Sequence, residues 1–283
     1  AMEFAHIFKN LGCNVIVMNR SETLLRGFDH DLQEMLIEST ENMGIQLDLG
    51  NLPTKIEQKS DKKLVIETQN GTNYTCDQIM AAIGRVPKVM DLGLENAGVD
   101  QNPDGSIKVD ARQQTSVPHI FAVGDVSNDA PLTPVAIREG HALADRLFGG
   151  KDVPELDYSY VASAVFTQPP IGTVGITEQQ AAAQNIDYTV FRARFRPMKH
   201  SLSGRAQRIM MKLLVENGSD KILGIHMFGD DSPEIIQLAA TILEMGGTKA
   251  QLDKTFAVHP TSAEEFVLMR TPAERTPKDK MRP

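Results

Sequence analysis

The chain has 283 residues, 41% of them hydrophobic and 23% charged, with 37 acidic against 29 basic side chains and a formal net charge of −8. Such a length accommodates two or three compact globular units. The acidic balance excludes the broad basic surface that nucleic acid requires, and no apolar run is long enough to cross a bilayer.

In chain order, Phe4, Ile7, Phe8 and Leu11 recur at helical spacing, so a helix runs from the first residues until Gly12 stops it. The apolar run Asn14–Met18 follows as a buried strand. A helix leading into a parallel-type strand is the second half of a βαβ unit. The next helix, Asp31–Met43, carries Leu32, Met35 and Leu36 on one face and stops at Gly44. Strands are then expected at 45–49, 54–58, 63–68 and 73–76, with Asn70-Gly71 as the hairpin turn between the last two. The continuous apolar run Ile79–Ile83 reads as a further strand closed by Gly84. Residues 1–85 are thus a partial dinucleotide-binding unit.

Residues 86–155 form a central segment with expected strands at 107–109 and 120–125 and a helix over 135–148. From 156 to 270 the pattern is α+β. Strands are expected at 162–167, 172–175, 188–195, 208–216 and 221–227, the last two joined by the Asn217-Gly218 turn. A helix follows, with Ser232 as N-cap and Pro233 at its first position. The polar stretch 271–283 reads as a loose tail. Cys13 and Cys76 each lie in apolar, strand-like runs with no CxxC or CxxxxC pair, so they read as reduced core thiols without a redox or metal role. That usage, and the lack of a secretory signal pattern in residues 1–10, suits a reducing cytoplasm.

Three motifs carry chemistry. The run Ile120–Asp125 ends in Gly124 and a carboxylate, where open α/β sheets bind ligands. Gly124 permits close approach of a cofactor, Asp125 can accept from ribose-like or ribityl hydroxyls, and the helix entered through Leu132-Thr133-Pro134 favours negative charge at its start. Past Val17 the strand ends in Asn19 and Arg20, with Arg26 in the following loop. Arginines at that place in a dinucleotide unit accommodate the 2′-phosphate of NADP, where a carboxylate selects NAD. Third, His259 stands before a helix whose first turn contains Glu264. A carboxylate there fixes the tautomer of the imidazole and leaves the other nitrogen as a general acid or base, the chemistry a departing thiolate needs.

Taken together, Ala82-Ile83-Gly84-Arg85-Val86-Pro87, Ala122–Val126, Leu132–Ala136, the segment Phe166–Gly175 and His259–Glu265 resemble the flavoprotein disulfide reductases, over essentially all of the chain up to Arg270. The Asn19-Arg20 and Arg26-Gly27-Phe28-Asp29 segments resemble the glutathione reductase branch; its dihydrolipoamide dehydrogenase and trypanothione-type relatives are the alternatives, and a non-catalytic dimerisation module is the alternative of another class. The resemblance implies FAD and NADPH as cofactors, glutathione disulfide as substrate and a homodimer formed through residues 156–270. It implies that Ala1 ends the GxGxxA turn of the NADPH site, that Glu3 pairs with a lysine near the flavin and that Arg20 and Arg26 hold the 2′-phosphate. It further implies that Gly84, Arg85, Asp125, Leu132 and Thr133 lie at the cofactors, and that His259 and Glu264 form the acid–base pair serving the partner subunit. The family's first flavin-binding domain and its CxxxxC disulfide precede the matched region, so this chain alone is expected to be inactive. One departure concerns substrate: His141 stands where some glutathione reductases carry an arginine for a substrate carboxylate, and Arg138 lies three residues earlier.

Overall fold

The computed structural model describes residues 1–127 and 130–273. Two compact units are present: Ala1–Met80 joined by the chain from Tyr160 onward, and Ala81–Ser159.

The first unit is built around a five-stranded antiparallel sheet. Its strands are β6 (Ser163–Val165), β7 (Ile171–Gly175), β8 (Tyr188–Phe195), β9 (Ile209–Glu216) and β10 (Ile222–Phe228), in the order β6-β7-β10-β9-β8. Because side chains alternate across a strand, β9 sends Ile209, Met211, Leu213 and Val215 to one face and Met210 and Lys212 to the other. The first face packs on Ile236, Ala239 and Leu243 of helix α7 (Ser232–Glu244) and on Phe266 of α9 (Glu264–Leu268). The second face receives Leu32, Met35 and Leu36 of α2 (His30–Asn42) together with Met2 of α1 (Met2–Asn10). A sheet covered on both sides needs apolar residues at consecutive positions, and Ile209–Val215 is buried throughout.

Lys212 is the exception in that run, 1% exposed. It lies in a polar row across the α2 side of the sheet, where Thr173, His226, Lys212 and Arg192 are successive cross-strand partners. Thr173 Oγ1 and His226 Nδ1 are 2.7 Å apart, and His226 Nε2 is 3.1 Å from the Ile176 carbonyl. The carbonyl can only accept, so Nε2 carries the proton and Nδ1 accepts from Thr173. Complete burial keeps the imidazole neutral by lowering its pKa. The Lys212 ammonium donates to Asp29 at 2.8 Å and to Asp31 and Glu178 at 2.7 Å each. Asp29 is also the N-cap of α2, accepting from the Asp31 amide, and it accepts from the Glu178 amide at the start of α5 (Glu178–Ala183). Burial alone would raise the Asp29 carboxyl; the Lys212 ammonium and the hydrogen bonds override it and hold the group down at about 2.

Ahead of the sheet, β1 (Ile16–Asn19) pairs in parallel with β2 (Gln46–Leu49) around α2. An antiparallel excursion follows, β3 (Pro53–Gln58), β4 (Leu64–Thr68) and β5 (Asn73–Cys76), with Gly71 in the left-handed region at the Asn70-Gly71 turn. The α/β start followed by an α+β unit matches the expected fold class.

Several expected local features differ. Residues 79–83 form no strand and pair with no other segment among the described residues, and Ile83 is 96% exposed. Cys13 is exposed in the turn between α1 and β1, and Cys76 is half-buried on β5, so neither is a core thiol. The N-cap of α7 is Asp231, in the left-handed region, with Ser232 already inside the helix and its hydroxyl buried. Phe4, Ile7 and Leu11 give α1 its periodicity yet stand exposed; Met2, Ala5 and His6 are its buried side. Residues 274–283 of the expected tail lie outside the described residues.

The second unit is organised by α4 (Thr133–Leu147) and the short α3 (Leu94–Ala97), with Val99, Ile107 and Ala122 as its core. The expected strands at 107–109 and 120–125 appear only as isolated bridges, Gln101 to Ile107 and Gln114 to Phe121. Residues 124–126 turn as one 3₁₀ turn, because Gly124 is in the left-handed region and breaks the extended run.

Candidate functional site

The Arg20–Asp29 loop connects β1 to α2. Its two arginines are exposed and form no ion pair among the described residues. The loop is closed on itself by two amides. Asn19 Nδ2 donates to the carbonyls of Ser21 and Thr23 at 3.3 and 2.7 Å. Buried Gln33 Nε2 donates to those of Leu25 and Phe28 at 3.1 and 3.0 Å. Leu25 and Gly27 both have positive φ, so the hydrogen bonds hold a conformation an open loop would leave. The result is a fixed turn presenting Arg20 and Arg26 beside the end of a parallel strand, a geometry suited to a phosphate.

On α1, Glu3 accepts from the Phe166 amide at 2.7 Å. His6 Nδ1 accepts from the Gln168 amide at 2.9 Å, and its Nε2 therefore donates to Thr40 Oγ1 at 3.1 Å. Burial holds the His6 imidazole neutral.

In the second unit, Gly84, Arg85, Asp125, Leu132 and Thr133 all fall within the same compact body. Arg85 Nη2 lies 2.8 Å from an Asp125 oxygen, and both side chains are well exposed, so this pair is easily exchanged for a ligand. Leu132 is the extended N-cap of α4. Pro134 has no N–H, and the Val135 and Ala136 amides turn back to the Leu132 carbonyl. The Thr133 amide is left without a partner among the described residues. An exposed carboxylate acceptor next to a helix start fits a hydroxyl-rich, negatively charged cofactor.

Two residues that sequence reasoning missed sit behind Asp125. Glu139, 1% exposed, accepts from the Gly124 amide at 2.6 Å and from the Tyr158 hydroxyl at 2.7 Å. Burial first, and the Glu139 carboxylate second, push the Tyr158 hydroxyl up to about 12. The available signal is spacing: Glu139 stands between Val135 and Ala142 on the buried stripe of α4, a charge at a core position.

His259 Nδ1 lies 3.1 Å from both oxygens of Glu264. The imidazole is largely exposed while the Glu264 carboxylate is mostly covered. The bend is fixed by Thr261, whose hydroxyl donates to the Val258 carbonyl at 2.7 Å and accepts from the Glu264 amide at 3.2 Å. Phe266 and Met269 anchor α9 in the core, so Glu264 is a rigid support. The carboxylate makes Nδ1 the donor and leaves Nε2 with no partner among the described residues, free to take or give a proton. Burial, and then Glu264 itself, raise the neighbouring Glu265 carboxyl. The structure therefore unites His259 with Glu264, and Arg85 with Asp125.

Comparison with known proteins places the sequence in a family. Residues 1–140 match the pyridine nucleotide-disulphide oxidoreductase family and residues 161–270 match its dimerisation domain. A chloroplastic/mitochondrial glutathione reductase of Pisum sativum is 47% identical over 99% of this chain and 50% of its own length. A glutathione reductase of Burkholderia cepacia is 43% identical over 95% of this chain and 60% of its own. A trypanothione reductase of Leishmania donovani is 41% identical over 96% of this chain and 56% of its own. The chain spans about half to three-fifths of the length of these relatives. With both parts of the family matched in order over most of its length, the chain belongs to the pyridine nucleotide-disulphide oxidoreductases.

Proposed function

We propose that this chain is the nicotinamide-binding and dimerisation portion of an NADPH-dependent flavoprotein that reduces glutathione disulfide. The observation that carries the reading is the His259–Glu264 pair: an exposed imidazole with one nitrogen held by a covered carboxylate and the other free. Disulfide exchange expels a thiolate, and an imidazolium Nε2–H is the donor that protonates it. Glu264 keeps the ring aimed by accepting from Nδ1. FAD, when bound, supplies the electron relay from NADPH to a redox disulfide. Asp125 would hold its ribityl hydroxyls, with Thr133 at the helix start beside it, and Gly84 and Arg85 would line the same region. Arg20 and Arg26 would clamp the NADPH 2′-phosphate, and Glu3 would be the glutamate that pairs with a lysine near the flavin. Homodimerisation through residues 161–270 would bring His259 to the partner's disulfide. Arg138 and His141 are three apart on the exposed side of α4, where the Arg138 guanidinium would be the cationic contact for a carboxylate of glutathione in place of the arginine that His141 replaces. The reading places the enzyme in the cytoplasm.

The test uses the full-length gene product and separates the two half-reactions by stopped flow. His259→Ala is expected to slow electron transfer to glutathione disulfide by roughly 100-fold or more, the range of general acid–base catalysis, while flavin reduction by NADPH keeps its rate. Equal loss in both halves removes the assigned role. Faster turnover of trypanothione disulfide than of glutathione disulfide would move the substrate assignment to that relative.

A further inference from the structure

Asp125 does not hold its own position. It follows Gly124, which has φ +74° and would bring a Cβ to 3.0 Å from that of Ala136 on α4. The turn therefore presses on the helix with no side chain between them. Its amide points into the helix, where the Glu139 carboxylate takes it at 2.6 Å. The other Glu139 oxygen is occupied by Tyr158, a residue beyond the far end of the same helix. A second tie runs parallel to the first. The approach to the turn is held by the Ala122 amide on the Gln113 carbonyl at 3.1 Å, and Gln113 Oε1 accepts at 2.8 Å from Arg146, about two turns beyond Glu139 on the same face of α4. Arg146 is itself fixed by the carbonyls of Val153 and Pro154 at 3.1 and 2.8 Å.

We propose that Glu139, braced by Tyr158, is a positioning residue for the flavin: it locks the Gly124 amide onto α4 and so sets Asp125 relative to the helix start at Leu132 and Thr133. The inference rests on the reading that Asp125 and the α4 start hold the flavin. A carboxylate is suited to the task because it accepts two hydrogen bonds at once in a buried place, and losing it strands a buried amide. An apolar residue at position 139 would satisfy the packing of α4 and leave the turn untied, so packing alone does not account for a charged residue there.

The experiment measures FAD affinity by reconstituting the deflavinated full-length gene product, with the bound-flavin absorption band as a second readout. Four variants are compared: Asp125→Ala, Glu139→Ala, Glu139→Gln and Tyr158→Phe. Glu139→Ala is expected to weaken FAD by roughly 10-fold to 100-fold and to shift the band, in line with one stranded buried donor. Glu139→Gln should recover most of the affinity, because its oxygen can accept from Gly124 and its amide can donate to Tyr158. Tyr158→Phe should fall between the two, and it carries the test if Glu139→Ala does not fold. Wild-type affinity and band in Glu139→Ala or, where that variant is unfolded, in Tyr158→Phe, alongside weakened binding in Asp125→Ala, overturns the positioning role and leaves the flavin site standing. Unchanged binding in Asp125→Ala removes the flavin reading itself, and the inference with it. A Gln variant as weak as the Ala variant also overturns it, since geometry would then not be what Glu139 supplies.

Discussion

Lys212 shows how one residue can decide both stability and legibility. A lysine in the middle of Ile209–Val215 contradicts the strand's apolar pattern, and a sequence gives no sign of which carboxylates will meet it. Three do, and a buried ion pair of this kind is costly to break because the survivor stays unpaired. The consequence for pH follows from Asp29. Its folded pKa of about 2 lies below its ordinary 3.8, so the stabilisation is complete above the ordinary value and is lost as pH falls through about 2. The difference corresponds to about 2 kcal/mol. Acid unfolding monitored by circular dichroism should therefore steepen in the wild type below about pH 4, and Asp29→Asn should flatten that slope while lowering stability at neutral pH. Identical slopes would mean that Asp29 is not the titrating group. At the same scale, His259 was legible because its partner is close in sequence. Glu139 and Tyr158 were not, because their importance lies in a backbone amide that a sequence does not display.

Elements formed where their partners were close along the chain. Strands β8, β9 and β10 matched expectation within a residue or two because hairpin neighbours and strict alternation specify each other. Residues 79–83 and 120–123 had apolar composition alone, and a strand exists only through its neighbour; among the described residues the first run pairs with nothing and the second only through the single Gln114–Phe121 bridge. Helices α2 and α4 were legible from periodicity and stops. The packing of α7 on β7 was not, since it depends on Gly172. A Cβ there would lie 2.4 Å from Ile236 and 2.7 Å from the Ser232 carbonyl, and the backbone atom cannot give way. Gly172→Ala is expected to cost about 1–3 kcal/mol by overpacking. Gly140→Ala, in an open helical position, should instead stabilise by up to about 1 kcal/mol. Thermal unfolding of the two variants distinguishes packing from a general glycine effect; melting points shifting in the same direction would refute the assignment.

For the molecule as a whole, the first unit is discontinuous: Ala1–Met80 is completed by residues from Tyr160 onward, with Ala81–Ser159 between them in sequence. The sequence reading divided the chain linearly, because composition changes along the chain whereas compactness is a matter of space. The polar row on the sheet is where the two outer stretches meet. Asp29 and Lys212 are 183 positions apart, so joining them closes a long loop whose entropy must be offset by the α2–sheet core. A chain ending at residue 159 is therefore expected to leave the α2 amides exchanging freely with deuterium, while the longer chain protects them. Protection of α2 in the short chain would show that the first 80 residues fold unaided.

That separation also imposes an order on biosynthesis. Helix α2 leaves the ribosome with an apolar face and two carboxylates whose cation has not yet been translated, whereas Glu139 and Tyr158 need wait only nineteen residues for each other. The inserted unit can settle while the outer one is still half made, and until β9 emerges the early segment is a client for chaperones and a target for proteases.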